Sequence, residues 1–154
     1  MPDEPDAYYN LGAALCNSVH YVEAAQRFLE AKERFPVGSE RWAQATAMAC
    51  ITLMQDACAE VAKPEWWSDE GLKALSARVV RAAPDDEAAN TMRAEVLSGK
   101  SSDAWLVETQ PRSAAELREA ATHFERAAAL CPAPVMKADF ANLAASCRTM
   151  AEDI

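Results

Sequence analysis

Apolar residues along this chain recur at intervals of three and four, in runs divided by short clusters rich in Pro, Gly, Ser and Asp. That spacing is helical; strict alternation, the mark of a half-buried strand, never lasts beyond a few residues. Tyr8, Leu11, Gly12 and Leu15 predict a first helix over Asp6 to Ser18, opened by Pro5-Asp6 and followed by a turn at His20-Tyr21. Ala24, Ala25, Phe28 and Ala31 predict a second, from Val22 to Arg34, closed by Phe35-Pro36-Val37-Gly38. From Ser39 the stripe Trp42, Ala45, Thr46, Ala49 runs on through Ile51, Leu53, Met54, Ala57 and Val61 with no turn signal. This predicts one long helix to Ala62, about 23 residues or roughly 34 Å at 1.5 Å per residue. Its middle is apolar on nearly all sides, as in a helix packed on both flanks.

Lys63-Pro64-Glu65-Trp66-Trp67 breaks that run. Ser68 caps a following helix that ends at Arg81 or Ala82, with Asp69 and Glu70 placed to favour the helix dipole. After Asp85-Asp86 the stripe Asn90, Arg93, Ala94, Leu97 predicts a fifth helix, stopped by Ser98-Gly99-Lys100-Ser101-Ser102. A loop from Asp103 to Arg112 holds Trp105-Leu106-Val107. Ser113-Ala114-Ala115-Glu116 is a capping box, so a sixth helix starts there and runs to about Leu130. Pro134 fits the first turn of a last helix, to about Met150, whose outer face carries Lys137, Asp139 and Arg148.

Half of a helical repeat is written twice. Ala24-x3-Phe28-x2-Ala31-x4-Pro36 recurs as Ala120-x3-Phe124-x2-Ala127-x4-Pro132, and Tyr8-x2-Leu11-Gly12-x2-Leu15 precedes the first copy. This pattern resembles the tetratricopeptide repeat, a helix–turn–helix unit with small residues at a close crossing and a closing Pro. The resemblance covers about residues 6 to 132 and is strongest in the first unit. Val19 departs from it, standing where a Gly usually separates the helices. The closing prolines Pro36, Pro84 and Pro132 lie 48 residues apart, against a common period of about 34, so two units are enlarged. The resemblance implies an all-α, right-handed α-solenoid of three repeats, about 6–36, 39–84 and 87–132, plus a capping helix, about 134–151.

Such repeats present a groove to a partner, and their first helices line its concave face. Carried over by register, the groove residues are Tyr9, Asn10, Ala13 and Asn17, then Glu40, Gln44, Ala47 and Ile51, then Thr91, Met92 and Glu95. Some relatives clamp a chaperone's C-terminal carboxylate with Lys, Asn and Arg; here the matching places hold Tyr9, Ala13, Gln44, Ala88 and Met92, so the carboxylate clamp is missing. The implied function is a non-enzymatic module binding a segment of another protein. The alternative is a structural subunit or fragment docked in a larger assembly through its convex face, loops or ends. The two enlargements place Trp66-Trp67 and Trp105 on one edge, where they either pack on each other and cover it or stay exposed as loop anchors for a partner.

Composition narrows the partners further. With 24 acidic and 15 basic residues the net charge is -9 and the pI about 4.7, and no Lys/Arg cluster exists in the sequence. Nucleic acid and anionic membrane both demand cationic surface, so neither is expected. The longest uncharged run, Trp42 to Gln55, is too short to span a bilayer. Met1-Pro2-Asp3-Glu4-Pro5-Asp6 has no signal-peptide character. Five cysteines, an odd number with no C-x-x-C, sit in Ala-rich helical patterns and read as reduced, favouring an intracellular, cytoplasmic site with an organelle as the alternative. Chemistry is not expected. The only histidines, His20 and His123, have no ligand at metal spacing and read as a turn residue and helix surface. No nucleophile elbow, phosphate loop or dinucleotide motif occurs, so no catalytic, metal or cofactor residue is assigned.

Overall fold

The computed structural model describes residues 4–99 and 110–154; Trp105 and the loop around it lie outside them. Among the described residues there are seven α-helices and no strand: α1 (Pro5–Asn17), α2 (Tyr21–Arg34), α3 (Glu40–Leu53), α4 (Asp69–Ala82), α5 (Glu87–Ser98), α6 (Ala114–Leu130) and α7 (Pro134–Glu152). Local chemistry sets most of these ends. The side chains of Ser39, Ser68 and Asp86 accept from the third residue beyond them, at Trp42, Gly71 and Ala89. Ser113 and Glu116 complete both halves of their capping box. Gly99 ends α5 in the left-handed conformation at φ 82°.

One helix is shorter than its apolar spacing implies. The long helix expected to reach Ala62 stops at Leu53; Gln55 is extended, and a 3-10 turn at Asp56–Cys58 follows. Two contacts accompany the break. Thr52 bonds back to the Met48 carbonyl at 2.6 Å, a contact that competes with straight helix. The Lys63 ammonium then satisfies the Cys58 and Val61 carbonyls at 2.6 and 2.7 Å, replacing partners that a continued helix would have supplied. Cys58 is fully buried, while Ala57, apolar and in register, faces solvent.

Each helix packs on its successor, and α3 also touches α5. Trp42, Phe28 and Phe124 are the largest fully buried side chains, each contributing roughly 1.5–3 kcal/mol of burial. Gly12, Thr46 and Ala94 share one register in α1, α3 and α5, and all three are buried. At Gly12 the reason is direct: an added Cβ would lie 2.9 Å from the Phe28 ring. Gly71 is tighter still, since a Cβ there would meet the Trp66 carbonyl oxygen at 2.3 Å. Val19, the departure from a Gly, adopts the left-handed backbone at φ 64°, strained for a β-branched residue. On the last helix Lys137, Asp139 and Arg148 are exposed as expected; Arg148 pairs with Glu125 of α6, and Ala138, Ala141 and Ala145 are exposed beside them.

Candidate functional site

Tyr9, Asn10, Ala13, Asn17, Glu40, Gln44 and Ile51 keep exposed or half-exposed surface. Ala47 and Met92 do not: both are fully buried in the main apolar cluster, because α3 and α5 pack on each other along that side. Thr91 is also buried, its hydroxyl bonded back to the Glu87 carbonyl at 2.9 Å. The register therefore falls on accessible surface at α1 and the start of α3 but meets core at Ala47, Thr91 and Met92.

A cation missed by that register sits on this wall. Arg41 lies over the Tyr9 ring, 4.5 Å from its centroid, and donates to Asp6 at 2.8 Å and to Gln44 at 2.6 Å. With Asp6 and Gln44 engaged, the guanidinium is already neutralised. Burial, seconded by the charge of Asp86, pushes the Tyr9 phenol above its usual range, with Arg41 opposing. Burial likewise raises Asp86, against the amide bond from Ala89, with Glu40 adding to the rise.

The remaining groove candidate, Glu95, has a different setting. It borders a cleft of about 470 Å³ between α5 and α7, with Asp139 as a second carboxylate and Met136, Phe140 and Leu143 as apolar lining. None of the α7 residues was legible as groove, since α7 reads from sequence only as a terminal cap. Here two acids border an apolar patch.

A second cleft lies around Trp42, between α2 and α4. It encloses about 310 Å³ bordered by Lys32, Val37, Trp42, Trp66, Leu75 and Arg78, and a neighbouring depression of about 210 Å³ adds Gly38 and Arg81. Trp66 is half-buried here, but Trp67 is buried and belongs to the core, so of the two only Trp66 keeps anchor surface. The expected adjacency of Trp66-Trp67 with Trp105 lies outside the described residues.

Buried polar groups elsewhere join helices. Asp69, read from sequence as a dipole partner, is almost fully buried and forms a two-pronged ion pair with Arg112 at 2.5 and 2.8 Å; it also accepts from the Gln110 amide. The Arg112 hydrogen bond is the main cause holding the Asp69 carboxyl below its usual range, outweighing burial. His123 is not helix surface. It is buried, with Nδ1 2.8 Å from Asn90 Oδ1 and Nε2 3.3 Å from Glu119. Asn90 donates its amide to the Pro84 and Asp86 carbonyls, so its Oδ1 must accept and Nδ1 of the imidazole carries the proton. Arg93 extends the network, donating to Glu119, to Ser76 and to the Lys73 carbonyl. The Nδ1–Oδ1 bond thus joins α6 to α5, while the Asn90 amide secures the start of its own helix.

The five cysteines are unpaired, and burial pushes the Cys50 thiol up to about 12, which leaves it protonated and unreactive at neutral pH. Among the described residues no group of three or more His, Cys, Asp or Glu side chains is placed to hold a metal ion, and no helix is long and apolar enough to cross a membrane. No family model, no curated protein and no solved structure matches this chain.

Proposed function

We propose that this chain is a tetratricopeptide-like solenoid of three helix pairs and a capping helix, a non-enzymatic intracellular adaptor that holds a segment of a partner protein. The doubled Ala/Phe/Ala/Pro motif supports the repeat, as does the shared register of Gly12, Thr46 and Ala94, each buried in the first helix of its pair. The observation that carries the binding role is the cleft between α5 and α7. Glu95 and Asp139 border an apolar patch of Met136, Phe140 and Leu143 in a space of about 470 Å³. A basic side chain could set its charge on the exposed Asp139 and its stem, or an apolar neighbour, on the patch. The partner segment is therefore basic and apolar, opposite in charge to the chain's own -9.

The test is a display selection against the full chain from short peptides built of Lys, Arg, Leu and Phe. An enriched peptide should weaken severalfold on D139N and more on D139N combined with M136S, as expected when a charge-assisted bond and part of the apolar patch are lost. Failure to enrich any such peptide, or indifference of the enriched peptide to both substitutions, would reject the reading. A second reading, a subunit docked through its opposite face, is favoured by one observation, the cation-rimmed tryptophan cleft between α2 and α4.

A further inference from the structure

Three basic side chains converge on the tryptophan cleft, and among the described residues none of them is paired with a carboxylate. Lys32 comes from α2, while Arg78 and Arg81 lie one turn apart on α4. Six other cations are ion-paired: Arg27 with Glu30, Arg41 with Asp6, Lys73 with Glu116, Arg93 with Glu119, Arg112 with Asp69, Arg148 with Glu125. What sets Lys32, Arg78 and Arg81 apart is their place: they line two adjoining depressions around one tryptophan, Trp42.

Their setting is aromatic. Lys32 Nζ lies 5.2 Å from the centre of the Trp66 ring, and the Arg78 guanidinium 5.2 Å from that of Trp42. Trp42 itself is buried, so the floor of the cleft is apolar; Trp66 and Leu75 are half-exposed, and Val37 stands at 71 % exposure on the rim. A carboxylate entering here would meet guanidinium donors beside low-dielectric walls, where such bonds are stronger than on open surface.

We propose that this cleft is a second docking site, for a protein segment in which an acidic residue adjoins a large apolar one. The carboxylate would be held by Arg78 and Arg81, and the apolar side chain would lie along Trp66, Leu75 and Val37 with Lys32 closing the α2 side. Its charge preference is opposite to that of the α5–α7 cleft, so the two sites take different partners and neither inference depends on the other. One chain could then bridge a basic segment and an acidic one.

Nucleic acid is the competing occupant of any cationic groove. Three cations on a chain of net charge -9 give a poor field for a phosphate backbone, whereas a single carboxylate with an apolar neighbour uses both the cations and the apolar wall. The experiment is a display selection against the full chain from short peptides of Asp, Glu, Leu and Phe, followed by titration of the enriched peptide carrying a fluorophore. The expected result is binding that falls about tenfold or more in R78E and in R81E and less in K32E, with D139N unchanged. Arg78 and Arg81 are exposed, and R78Q and K32Q provide milder forms whose melting curves should match the parent. The proposal is overturned if no acidic peptide is enriched, if the enriched peptide ignores the charge reversals, or if D139N weakens it as much as R78E. Displacement of the peptide by oligothymidylate at equal concentration would overturn it in favour of a nucleic-acid surface.

Discussion

The α1–α2 and α5–α6 pairs share a repeat register and are joined by different chemistry. At the first crossing Gly12 lies under Phe28, and Tyr9 meets the same ring edge-on at 5.4 Å. Apolar fit holds it, with the Arg34 guanidinium 4.3 Å from the centre of the Tyr8 ring at one end. At α5–α6, Ala94 and Phe124 fill one apolar cluster, but beside them run the Asn90–His123–Glu119–Arg93 chain and the Asp69–Arg112 pair. The contrast shows that one backbone spacing can be secured by shape or by buried polar bonds. The polar version fails more abruptly when one member is lost, because a stranded charge or donor costs more than a missing contact.

The largest expected effect follows from this. Arg112→Met would leave the buried Asp69 carboxylate with only the Gln110 amide and the Lys73 ammonium 3.9 Å away, costing about 3 kcal/mol. Adding Asp69→Leu should restore part of that loss, because the stranded charge goes too, leaving the Gln110 amide and Val96 carbonyl unmet. Urea unfolding of the two singles and the double measures the coupling; strictly additive losses would mean the pair acts as two independent surface groups. Acid gives a second view. Because Arg112 holds the folded-state carboxyl below 3.8, the unfolded chain binds the proton first on acidification. The stabilisation is complete above the unfolded value and is lost as pH falls through the folded one. Arg112→Met should flatten that part of the acid limb.

Gly12→Leu probes the shape-held crossing. With a Cβ already 2.9 Å from a fully buried ring, a branched side chain should cost about 1–3 kcal/mol or more. Thermal melting in parallel with Gly12→Ala and Phe28→Leu distinguishes overpacking from a helix-propensity effect. Overpacking predicts that Phe28→Leu relieves part of the Gly12→Ala penalty, and a melt equal to the parent's for Gly12→Leu would refute the register.

What could be read ahead of the structure divides along the same line. The α1–α2 pair, the ends of α4 and the Ser113 capping box rest on residues within a few positions of each other, so local pattern sufficed. Asp69 and Arg112 are 43 residues apart, and Asn90 and His123 are 33 apart. No spacing rule connects them, and a His beside Phe124 carries no mark of burial. The same holds for α3: Ala57 and Val61 keep helical spacing, and only the Lys63 bonds to Cys58 and Val61 carbonyls reveal the break. Among groove candidates, Asn10 and Asn17 are exposed as the register implies, whereas Ala47 and Met92 are core. Their fate was set by the contact between α3 and α5, which the enlarged second unit obscures in sequence.

Asn90→Ala tests the polar joint at a smaller scale. It removes the acceptor for His123 Nδ1 and the donor to the Pro84 and Asp86 carbonyls, for about 1–3 kcal/mol. His123 adds a pH signature. Burial is the main cause lowering its pKa below 6.5; Glu119 opposes it, and Arg126 and Arg93 reinforce it. Since the unfolded imidazole takes up its proton at higher pH than the folded one, this contribution is complete above 6.5 and is lost as pH falls through the folded value. His123→Asn should remove that slope from a plot of stability against pH, while a stability that rises on acidification through this range would contradict the burial argument.

The smallest effect has the opposite sign and sits at the turn of the shape-held pair. Val19 adopts φ 64°, where an L-residue pays about 1–2 kcal/mol in the left-handed region. Its side chain is 67 % exposed, so packing offsets little of that strain. Val19→Gly removes the strain but gives the unfolded chain more freedom, worth roughly 0.5–1 kcal/mol against it. The balance predicts a gain of about 0.5–1 kcal/mol, seen as a higher urea midpoint at unchanged slope. A lower midpoint would show that the exposed Val19 restricts the unfolded chain more than its backbone strains the folded one. The steric account of the α1–α2 turn would then have to rest on the Val19 and His20 amide bonds to the Cys16 and Leu15 carbonyls alone.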